Sequence, residues 1–273
     1  MSPRPRRPLE RVLVATGRAA DLDEARALVA AGRVVVAGAP AMNPSRSVAA
    51  GEPVEVVATS RYVSRGGDKL DAALEAFGID VVDQRVLDVG ASTGGFTDCV
   101  LQRGAGRVLA VDVGRNQLHE RLRGDPRVVV AEGENAYDLR PARVLHELGG
   151  PADVLTVDVS FTSLARLAPH LVTLAGTGAS IVALVKPQFE VDRATASRGR
   201  GVVRDAVAWS ASVVSCTSAL RSAGAGIMGV MASPLRGAAG NVEFLVHAIV
   251  GDEGMGDDEL EEAVRSAVVG VPR

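Results

Sequence analysis

The sequence predicts an α/β fold with a mostly parallel β-sheet, preceded by a small N-terminal α+β domain. From residue 70 onward, aliphatic runs of strand length alternate with segments of helical periodicity, as in doubly wound sheets. The run Arg85–Val89 breaks at Gly90, and two further glycines precede a helix-compatible segment. The first 59 residues instead contain two short helical segments followed by small strands around turns. A chain of 273 residues, 47% of them apolar, is long enough for both domains.

Composition and charge exclude several classes of protein. The two cysteines, Cys99 and Cys216, have neither a disulfide pattern nor the spacing of metal ligands, which indicates a reduced, cytoplasmic protein without a metal site. No apolar run approaches the ~20 residues of a membrane span, and the run Val12–Ala15 is too short for a signal peptide. The net charge is −3, but residues 1–68 hold ten arginines and seven acids. Contact with a polyanion is therefore expected from the N-terminal part.

The N-terminal domain is expected to begin with a flexible basic arm, residues 1–8, in which three arginines lie among three prolines. Two helices and three short strands follow in the prediction. These are helices over 9–16 and 22–31 and strands over 34–36, 38–40 and 54–57. Within this arrangement, Gly-Arg-Val-Val-Val-Ala-Gly-Ala-Pro (32–40) and Ala-Gly-Glu-Pro-Val-Glu-Val (50–56) resemble the S4-like RNA-binding domain.

The S4-like resemblance implies that this domain contacts the phosphates and the shape of RNA, without a base code. One departure stands at Asp21-Leu22-Asp23, where the family has a Ser-Arg pair, so that two anions replace a cation. A purely structural cap is the alternative role for the domain. The candidate RNA-binding residues are Arg4, Arg6, Arg7, Arg11, Arg18, Arg33 and Arg65, with Arg26 and Arg46 as further arginines of this region.

The stretch Val86–Asp98 places a strand, a tight turn and the start of a helix in succession. Glycine lets a ligand approach the backbone closely, and the first N–H groups of a helix have no partner within it. Asp112 ends the next strand, Val108–Val111, where a carboxylate can bind the two ribose hydroxyls of an adenosine. The glycine spacing alone also fits nicotinamide dinucleotides.

The longer motif Asp-Val-Gly-Ala-Ser-Thr-Gly-Gly-Phe-Thr-Asp (88–98) resembles motif I of the FtsJ-type RNA 2′-O-methyltransferases. This resemblance implies a Rossmann-like class I methyltransferase domain with a mostly parallel seven-stranded sheet, and S-adenosylmethionine as its cofactor. It also places Asn135 near the adenine, although capping of a loop is an alternative role for that residue. The candidate cofactor-binding residues are Asp88, Gly90, Ser92, Gly94, Gly95, Phe96, Asp112, Asn135 and Asp158.

Residues 60–67 are small and polar, which is typical of a linker. Tyr62-Val63-Ser64-Arg65-Gly66-Gly67-Asp68-Lys69-Leu70 resembles the start of the catalytic domain in the TlyA family, in which an S4-like domain is fused to an FtsJ-like methyltransferase. The predicted organisation is therefore an S4-like domain over 1–59, a linker over 60–67 and a methyltransferase domain over 68–273. Members of the TlyA family carry the name haemolysin, but no segment of this sequence is suited to forming a pore.

Two charged residues follow predicted strands at the edge where open α/β sheets bind their ligands. Asp158 lies at the end of a strand predicted over 153–159, and Lys186 ends a strand predicted over 180–186. Together with Lys69 and Glu243, these two residues match the Lys-Asp-Lys-Glu tetrad of the FtsJ-type enzymes. The resemblance implies that these four residues are catalytic.

The tetrad suits methyl transfer to a ribose 2′-hydroxyl, which must lose its proton as it attacks. A lysine is normally protonated, with a reference pKa of ~10.4, but a nearby cation and partial burial favour the neutral form of such a group. Our interpretation makes Lys186 the general base and Asp158 the group that orients its ammonium. Lys69 and Glu243 would hold the hydroxyl.

The TlyA resemblance implies 2′-O-methylation of cytidine in 16S or 23S ribosomal RNA, with ribosomal RNA or ribosomal subunits as the partner and a link to antibiotic susceptibility. We expect the chain to act as a monomer. Two alternatives remain open: a methyltransferase of a small metabolite, which the acidic balance favours, and a non-catalytic RNA-binding protein that retains the fold. The basic loop over 193–204 either contacts phosphates, closes over the cofactor, or is an ordinary surface loop.

Overall fold

The computed structural model describes residues 6–30, 32–56, 61–192 and 201–271. The chain divides into two compact units, residues 1–59 with 238–240, and residues 60–237 with 241–273. Arg4 and most of the basic loop predicted over 193–204 lie outside the described residues.

The first unit contains a three-stranded sheet, a two-stranded sheet and two helices. Its elements are β1 (Arg6–Pro8), α1 (Leu9–Ala15), α2 (Leu22–Ala30), β2 (Val34–Val36), β3 (Ala39–Pro40), β4 (Ser47–Ala49) and β5 (Val54–Val56). β2 lies between β3 and β5, and both neighbours run antiparallel to it. The prediction of a flexible arm is wrong for residues 6–8, because β1 pairs antiparallel with β4.

Apolar residues at helical and alternating spacing form the core of the first unit. Leu9 and Leu13 lie one turn apart on α1, Val34 and Val36 lie on the same face of β2, and all four are fully buried. Asp21, one of the two acids that replace the Ser-Arg pair, accepts hydrogen bonds from the backbone N–H groups of residues 23 and 24 at 3.0 and 2.8 Å. This acid therefore caps α2.

The second unit contains a seven-stranded sheet with helices on both faces. Its elements are α3 (Arg65–Phe77), β6 (Arg85–Val89), α4 (Gly95–Gln102), β7 (Arg107–Asp112), α5 (Glu120–Arg123), β8 (Val128–Glu132), α6 (Pro141–Leu148), β9 (Ala152–Val157), α7 (Leu164–Leu174), β10 (Ala175–Val185), α8 (Pro187–Glu190), α9 (Ala206–Ser222), β11 (Ala225–Ala232), β12 (Phe244–Val250) and α10 (Asp257–Val269). The strand order is β11-β12-β10-β9-β6-β7-β8. β12 runs antiparallel to both of its neighbours, and the pairs from β10 to β8 are parallel. The predicted class of fold is confirmed.

Alternation along the central strands decides which face each residue covers. Val108 and Ala110 of β7 pack in a cluster with residues of α3 and α4, whereas Leu109 and Val111 pack in a second cluster with residues of α6, α7, α9 and α10. Both faces of these strands are therefore buried, which explains why they are aliphatic throughout.

The elements of the second unit differ from the prediction at several points. Helix α3 begins at Arg65, so the last three residues of the predicted linker are helical, and Gly67 packs against the ring of Tyr62. Strand β8 was not predicted, although Val128–Glu132 forms the outermost strand on that side of the sheet. β9 ends at Val157, so Asp158 follows the strand. In the described part of the chain, no helix combines the length and the apolar character needed to cross a bilayer.

Candidate active site

The order of the strands creates a crevice at the carboxyl edge of the sheet. β6 and β9 are neighbours, and the chain winds outward from them in opposite directions, which is the switch point where open α/β sheets bind ligands. Gly90 has a φ of +87°, and a Cβ atom there would come 2.6 Å from the carbonyl oxygen of Asp158. The two strand ends can approach this closely because residue 90 is glycine.

A cavity of about 530 Å³ lies in this crevice, within the range of small-molecule sites. Its walls are partly aliphatic and partly polar. The aliphatic side chains belong to Val89, Val111 and Leu167, and the predicted cofactor-binding residues in the lining are Gly90, Ser92, Asp112, Asn135 and Asp158.

Asp112, the last residue of β7, is placed to bind a ribose. Its Oδ2 accepts a hydrogen bond from the backbone N–H of Ser92 at 2.8 Å, and its Oδ1 accepts one from Gly114 at 2.7 Å. A carboxylate offers about four lone-pair sites, so this one retains acceptors for two hydroxyl donors. The carboxylate and the aliphatic walls together fit the adenosine part of S-adenosylmethionine.

The opposite wall of the cavity follows β8. Asn135 lines the cavity, and its Oδ1 also accepts a hydrogen bond from the backbone N–H of Tyr137 at 3.0 Å, so the alternative capping role is present. Glu134 and Tyr137 line the cavity too, although neither was predicted, and Glu134 forms a 2.5 Å ion pair with Arg143. The position of Glu134 one residue before Asn135 was the signal that could have identified it.

Glu132, the last residue of β8, fixes the loop that forms one side of the cavity. Its carboxylate accepts hydrogen bonds from the backbone N–H groups of Asn116, Gln117 and Leu118 at 2.8, 2.8 and 2.9 Å, and from Arg123 at 2.9 Å. Burial opposes ionisation, but these donors outweigh it and lower the pKa of Glu132 to about 2. The predicted site did not include this residue, because its partners lie 9 to 16 residues away in the sequence.

Four predicted cofactor-binding residues lie outside the lining of the cavity: Asp88, Gly94, Gly95 and Phe96. The two glycines begin α4, where a Cβ on Gly94 would lie 2.2 Å from Leu122. Phe96 is 2% exposed and packs in the core. Direct contact of these four residues with the cofactor stays a prediction.

Asp88 is fully buried on the side of β6 that faces α4. Its Oδ2 accepts a hydrogen bond from Thr97 at 2.6 Å and its Oδ1 accepts one from Thr156 at 2.9 Å. Burial raises the pKa of Asp88 to about 6, although the two hydroxyl donors act in the opposite direction. Asp88 therefore ties the ends of three elements together beneath the crevice.

The four predicted catalytic residues form two ion pairs at the same edge. Lys69 of α3 lies 2.5 Å from Glu243, and Lys186 lies 2.6 Å from Asp158. Val185 of β10 is paired with Phe244 of β12 in an antiparallel ladder. Lys186, which follows Val185, and Glu243, which precedes Phe244, are therefore neighbours. The structure thus brings the predicted tetrad together from four separate elements, although its chemical role stays a prediction.

Both lysines of the chain lie in this tetrad. The sequence contains 28 arginines and two lysines, Lys69 and Lys186. Arginine cannot lose its proton at physiological pH, whereas lysine can. In a chain that otherwise has 28 arginines, both lysines thus occupy positions of the predicted tetrad. This bias was visible in the sequence and would have selected the same two residues.

Two further residues lie at the end of the crevice that carries the predicted catalytic tetrad, called the catalytic end below. Ser160 accepts a hydrogen bond from the Nζ of Lys186 at 2.8 Å, and it lines the cavity. Phe161 is 94% exposed at the mouth of the cavity, has a φ of +64°, and lies 5.4 Å from the ring of Phe189. A bulky side chain in the left-handed region is an unusual conformation that is often associated with function. Among the described residues, no cluster that could hold a metal ion is present.

The predicted RNA-binding arginines are spread over both units. Arg7, Arg11 and Arg18 are exposed on the first unit, where Arg7 and Arg18 line a second cavity of about 430 Å³. The others are Arg6, which donates to the carbonyl of Ser47 at 3.0 Å, Arg33, which is half-buried, and Arg65, which begins α3 of the second unit. Of the further arginines, Arg26 pairs with Glu10 and Arg46 pairs with Glu52.

Comparison with known proteins assigns this arrangement to a family. The family described as FtsJ-like methyltransferase matches residues 62–249. A relative from Mycobacterium tuberculosis, named 16S/23S rRNA (cytidine-2′-O)-methyltransferase TlyA, is 45% identical over 259 residues, which cover 94% of this chain and 95% of the relative. A relative from Campylobacter jejuni, named 23S rRNA (cytidine-2′-O)-methyltransferase TlyA, is 35% identical over 188 residues, covering 69% of this chain and 71% of the relative.

A solved structure gives the same result for the fold. A protein from Streptococcus thermophilus, described as a hemolysin, is 36% identical, covers 96% of each chain and superposes with a TM-score of 0.74. The matched segment includes the crevice, the glycine turn and all four residues of the tetrad. The chain therefore belongs to the FtsJ-like methyltransferases, which use S-adenosylmethionine, and within them to the TlyA family.

Proposed function

We propose that this chain methylates the ribose 2′-hydroxyl of cytidine in ribosomal RNA, with Lys186 as the general base. The observation that carries the proposal is the pairing of the chain's two lysines with Asp158, which lines the cavity, and with Glu243 at the same edge of the sheet. The names of the relatives from Mycobacterium tuberculosis and Campylobacter jejuni support cytidine in ribosomal RNA as the substrate.

In the proposed reaction, bound S-adenosylmethionine supplies an electrophilic methyl group. With the cofactor bound, the neutral Nζ of Lys186 would take the proton of the 2′-hydroxyl as the oxygen attacks the methyl carbon, and the sulfur would keep the electron pair of its bond to that carbon. Asp158 and Ser160 fix the direction of the Lys186 amine, since both lie within hydrogen-bond distance of it. The Lys69–Glu243 pair lies beside this group and is placed to hold the hydroxyl. Most of the remaining acceleration comes from holding oxygen and methyl carbon in line.

Two features favour a nucleic acid over a small metabolite. The exposed ring of Phe161 at the mouth of the cavity offers a surface on which an unstacked base can lie. Arg7 and Arg18 of the first unit are exposed beside a cavity of their own and suit phosphate groups. We accordingly propose the first unit as an RNA-binding domain of S4-like type, and a cytoplasmic monomer as the working form.

The test is transfer of tritiated methyl groups from labelled S-adenosylmethionine to four acceptors: small ribosomal subunits, large ribosomal subunits, deproteinised ribosomal RNA and free cytidine. Incorporation into RNA, recovered as 2′-O-methylcytidine after nuclease digestion, is the expected result. Incorporation into free cytidine alone would instead support the alternative of a metabolite methyltransferase. Cofactor binding without transfer to any acceptor would contradict the proposed reaction.

The same assay tests the first unit when the Arg7→Ala/Arg18→Ala double variant replaces the wild type. We expect a higher KM for RNA, a weaker dependence of binding on salt and an unchanged affinity for the cofactor. The control is Arg26→Ala, because that arginine is already paired with Glu10 and Asp23. Equal effects of both changes would remove Arg7 and Arg18 from the RNA contact.

A further inference from the structure

Two chain segments meet at the catalytic end of the crevice. One follows β9 and carries Asp158 and Ser160, and the other follows β10 and carries Lys186. The contacts of the Lys186 amine with the first two residues, at 2.6 and 2.8 Å, require that the two segments keep a fixed position relative to each other. The first segment is tied to β6 by the backbone N–H of Asp158, which donates to the carbonyl of Val89 at 2.9 Å, whereas the second segment leaves its strand after Val185.

A carboxylate from the second segment binds the end of the first. Glu190, the last residue of α8, accepts a hydrogen bond from the backbone N–H of Leu164 at 2.6 Å and one from the hydroxyl of Ser163 at 2.7 Å. Leu164 is the first residue of α7, and the first N–H groups of a helix have no partner within it. The negative charge also suits the positive end of the α7 dipole.

The Glu190 carboxylate also contacts the buried core. It contacts Cys216 of α9, and burial, followed by the charge of this carboxylate, raises the pKa of that thiol. Cys216 is completely buried, so the carboxylate rests against the core. A second contact between the two segments is the ring pair of Phe161 and Phe189.

We propose that Glu190 is a positioning residue, which holds Lys186 against Asp158 and Ser160 by fastening the segment after β10 to the start of α7. The proposal rests on the proposed function for its catalytic consequence. Glu190 lies four residues after Lys186, at the other end of the single turn α8, so a shift at one end of this turn moves the other. Its own carboxylate is engaged by Ser163 and Leu164, and its role is exerted through Lys186.

The test uses Glu190→Ala and Glu190→Gln in the full chain, with Asp205→Asn as the matched control. Asp205 caps α9 through the N–H of Val207 at 3.2 Å, so the control also removes the charge from a helix cap. For Glu190→Ala we expect kcat to fall about 10²-fold, the loss that follows from a displacement of about 1 Å, while the KM for S-adenosylmethionine changes less than about twofold. Glu190→Gln retains one acceptor oxygen, so its kcat should lie between those of Glu190→Ala and the wild type.

A second readout does not depend on activity. Because the chain has two lysines, labelling lysine with ¹³C at Cε gives two signals in a nuclear magnetic resonance spectrum, and Lys186→Arg assigns them by removing one. In Glu190→Ala, the Lys186 signal should shift or broaden, whereas the Lys69 signal and both signals in Asp205→Asn should stay in place. If both lysine signals and kcat are unchanged while the unfolding free energy drops, Glu190 is only a helix cap and the inference is wrong. If the wild type transfers no methyl group, the proposed function fails, and the spectra still decide whether Glu190 positions Lys186.

Discussion

The two ends of the crevice hold their carboxylates in different ways. At the cofactor end, after β7 and β8, Asp112 and Glu132 accept hydrogen bonds chiefly from backbone N–H groups. At the catalytic end, Asp158 pairs with Lys186, and Glu243 pairs with Lys69. Backbone groups cannot change their charge, whereas a lysine can release a proton. The cofactor end is therefore a fixed frame, whereas the carboxylates of the catalytic end, which carries the predicted tetrad, are paired with side chains that can release a proton.

This difference also explains the choice of side chains. A carboxylate that accepts several backbone donors stays ionised, as the low pKa of Glu132 shows, and so it keeps the loop over 113–118 in place across the physiological range. A carboxylate beside a lysine instead orients an amine, which in the proposed reaction must approach the substrate from a defined direction. Each end can be tested by a conservative substitution. At the catalytic end it removes the proton that lysine can release, and at the cofactor end it removes the negative charge of a carboxylate.

The largest effect is expected from Lys186→Arg. Arginine keeps the positive charge beside Asp158 but cannot give up its proton, so it cannot act as a base. We expect kcat to fall by about 10²- to 10⁴-fold, the usual contribution of general-base catalysis, with an unchanged dissociation constant for S-adenosylmethionine. Single-turnover methyl transfer and titration calorimetry measure the two quantities.

The matched variant is Lys69→Arg, which keeps a cation against Glu243. If Lys69 contributes only its positive charge, Lys69→Arg should lose less kcat than Lys186→Arg. Retention of full activity by Lys186→Arg would show that this position needs only a positive charge, and the assignment of the base would be wrong.

The next largest effect is expected at the cofactor end, from Asp112→Asn. The carboxylate of Asp112 accepts hydrogen bonds from two backbone N–H groups, and the amide of asparagine would place its own NH₂ donor against one of them. The substitution also removes the negative charge that favours hydrogen bonds from ribose hydroxyls. Hydrogen bonds to charged groups contribute about 1.5–3 kcal/mol, so the dissociation constant for S-adenosylmethionine should rise about 10- to 100-fold. The value of kcat at saturating cofactor should change much less.

A suitable control for Asp112→Asn is Asp153→Asn, near the start of β9. Asp153 pairs with Arg85 at 2.7 Å at the amino edge of the sheet and does not line the cavity. Its substitution should alter stability and leave cofactor affinity unchanged. Similar losses of affinity in both variants would show that Asp112 acts through the fold and not through the cofactor.

The residues at the two ends differ in how well the sequence predicts them. Asp112, Asp158 and Lys186 follow aliphatic runs, so a local pattern locates them at the carboxyl edge. Glu132 and Glu190 bind groups 9 to 27 residues away, and their contacts depend on which elements are neighbours. That information exists only in the folded chain. A pairing such as Lys69 with Glu243, which spans 174 residues, was accessible through the family tetrad alone.

Asp88 shows what a local motif leaves open, which is the direction of a side chain. The motif placed it next to the glycine turn, but alternation along β6 directs its side chain toward α4 and away from the crevice. The first unit shows a similar limit. Strand β1 has three residues and contains a proline, so no periodicity distinguishes it from a flexible arm, and its pairing with β4 decides its structure.

The smallest effect is expected from Asp88→Asn, which tests a carboxylate held chiefly by two hydroxyl groups. The native pKa of about 6 lies above the value of 3.8 for the unfolded chain, so the native state binds the proton more tightly. The free energy of unfolding should therefore fall as the pH rises from about 4 to 7, by about 1–3 kcal/mol for this group. Asparagine does not titrate, and both threonine hydroxyls can donate to its oxygen or accept from its amide.

Denaturant unfolding of the wild type and of Asp88→Asn at several pH values measures this contribution, because the other titrating groups cancel in the difference. The variant should gain stability relative to the wild type as the pH rises, and methyl transfer should change little, since Asp88 does not line the cavity. If the free energies of unfolding of the two proteins change in parallel with pH, the carboxyl of Asp88 has the same pKa in the folded and unfolded states. A large loss of cofactor affinity would instead show that the hydroxyl-bound carboxylate is needed to hold the turn that forms the fixed frame of the cofactor end.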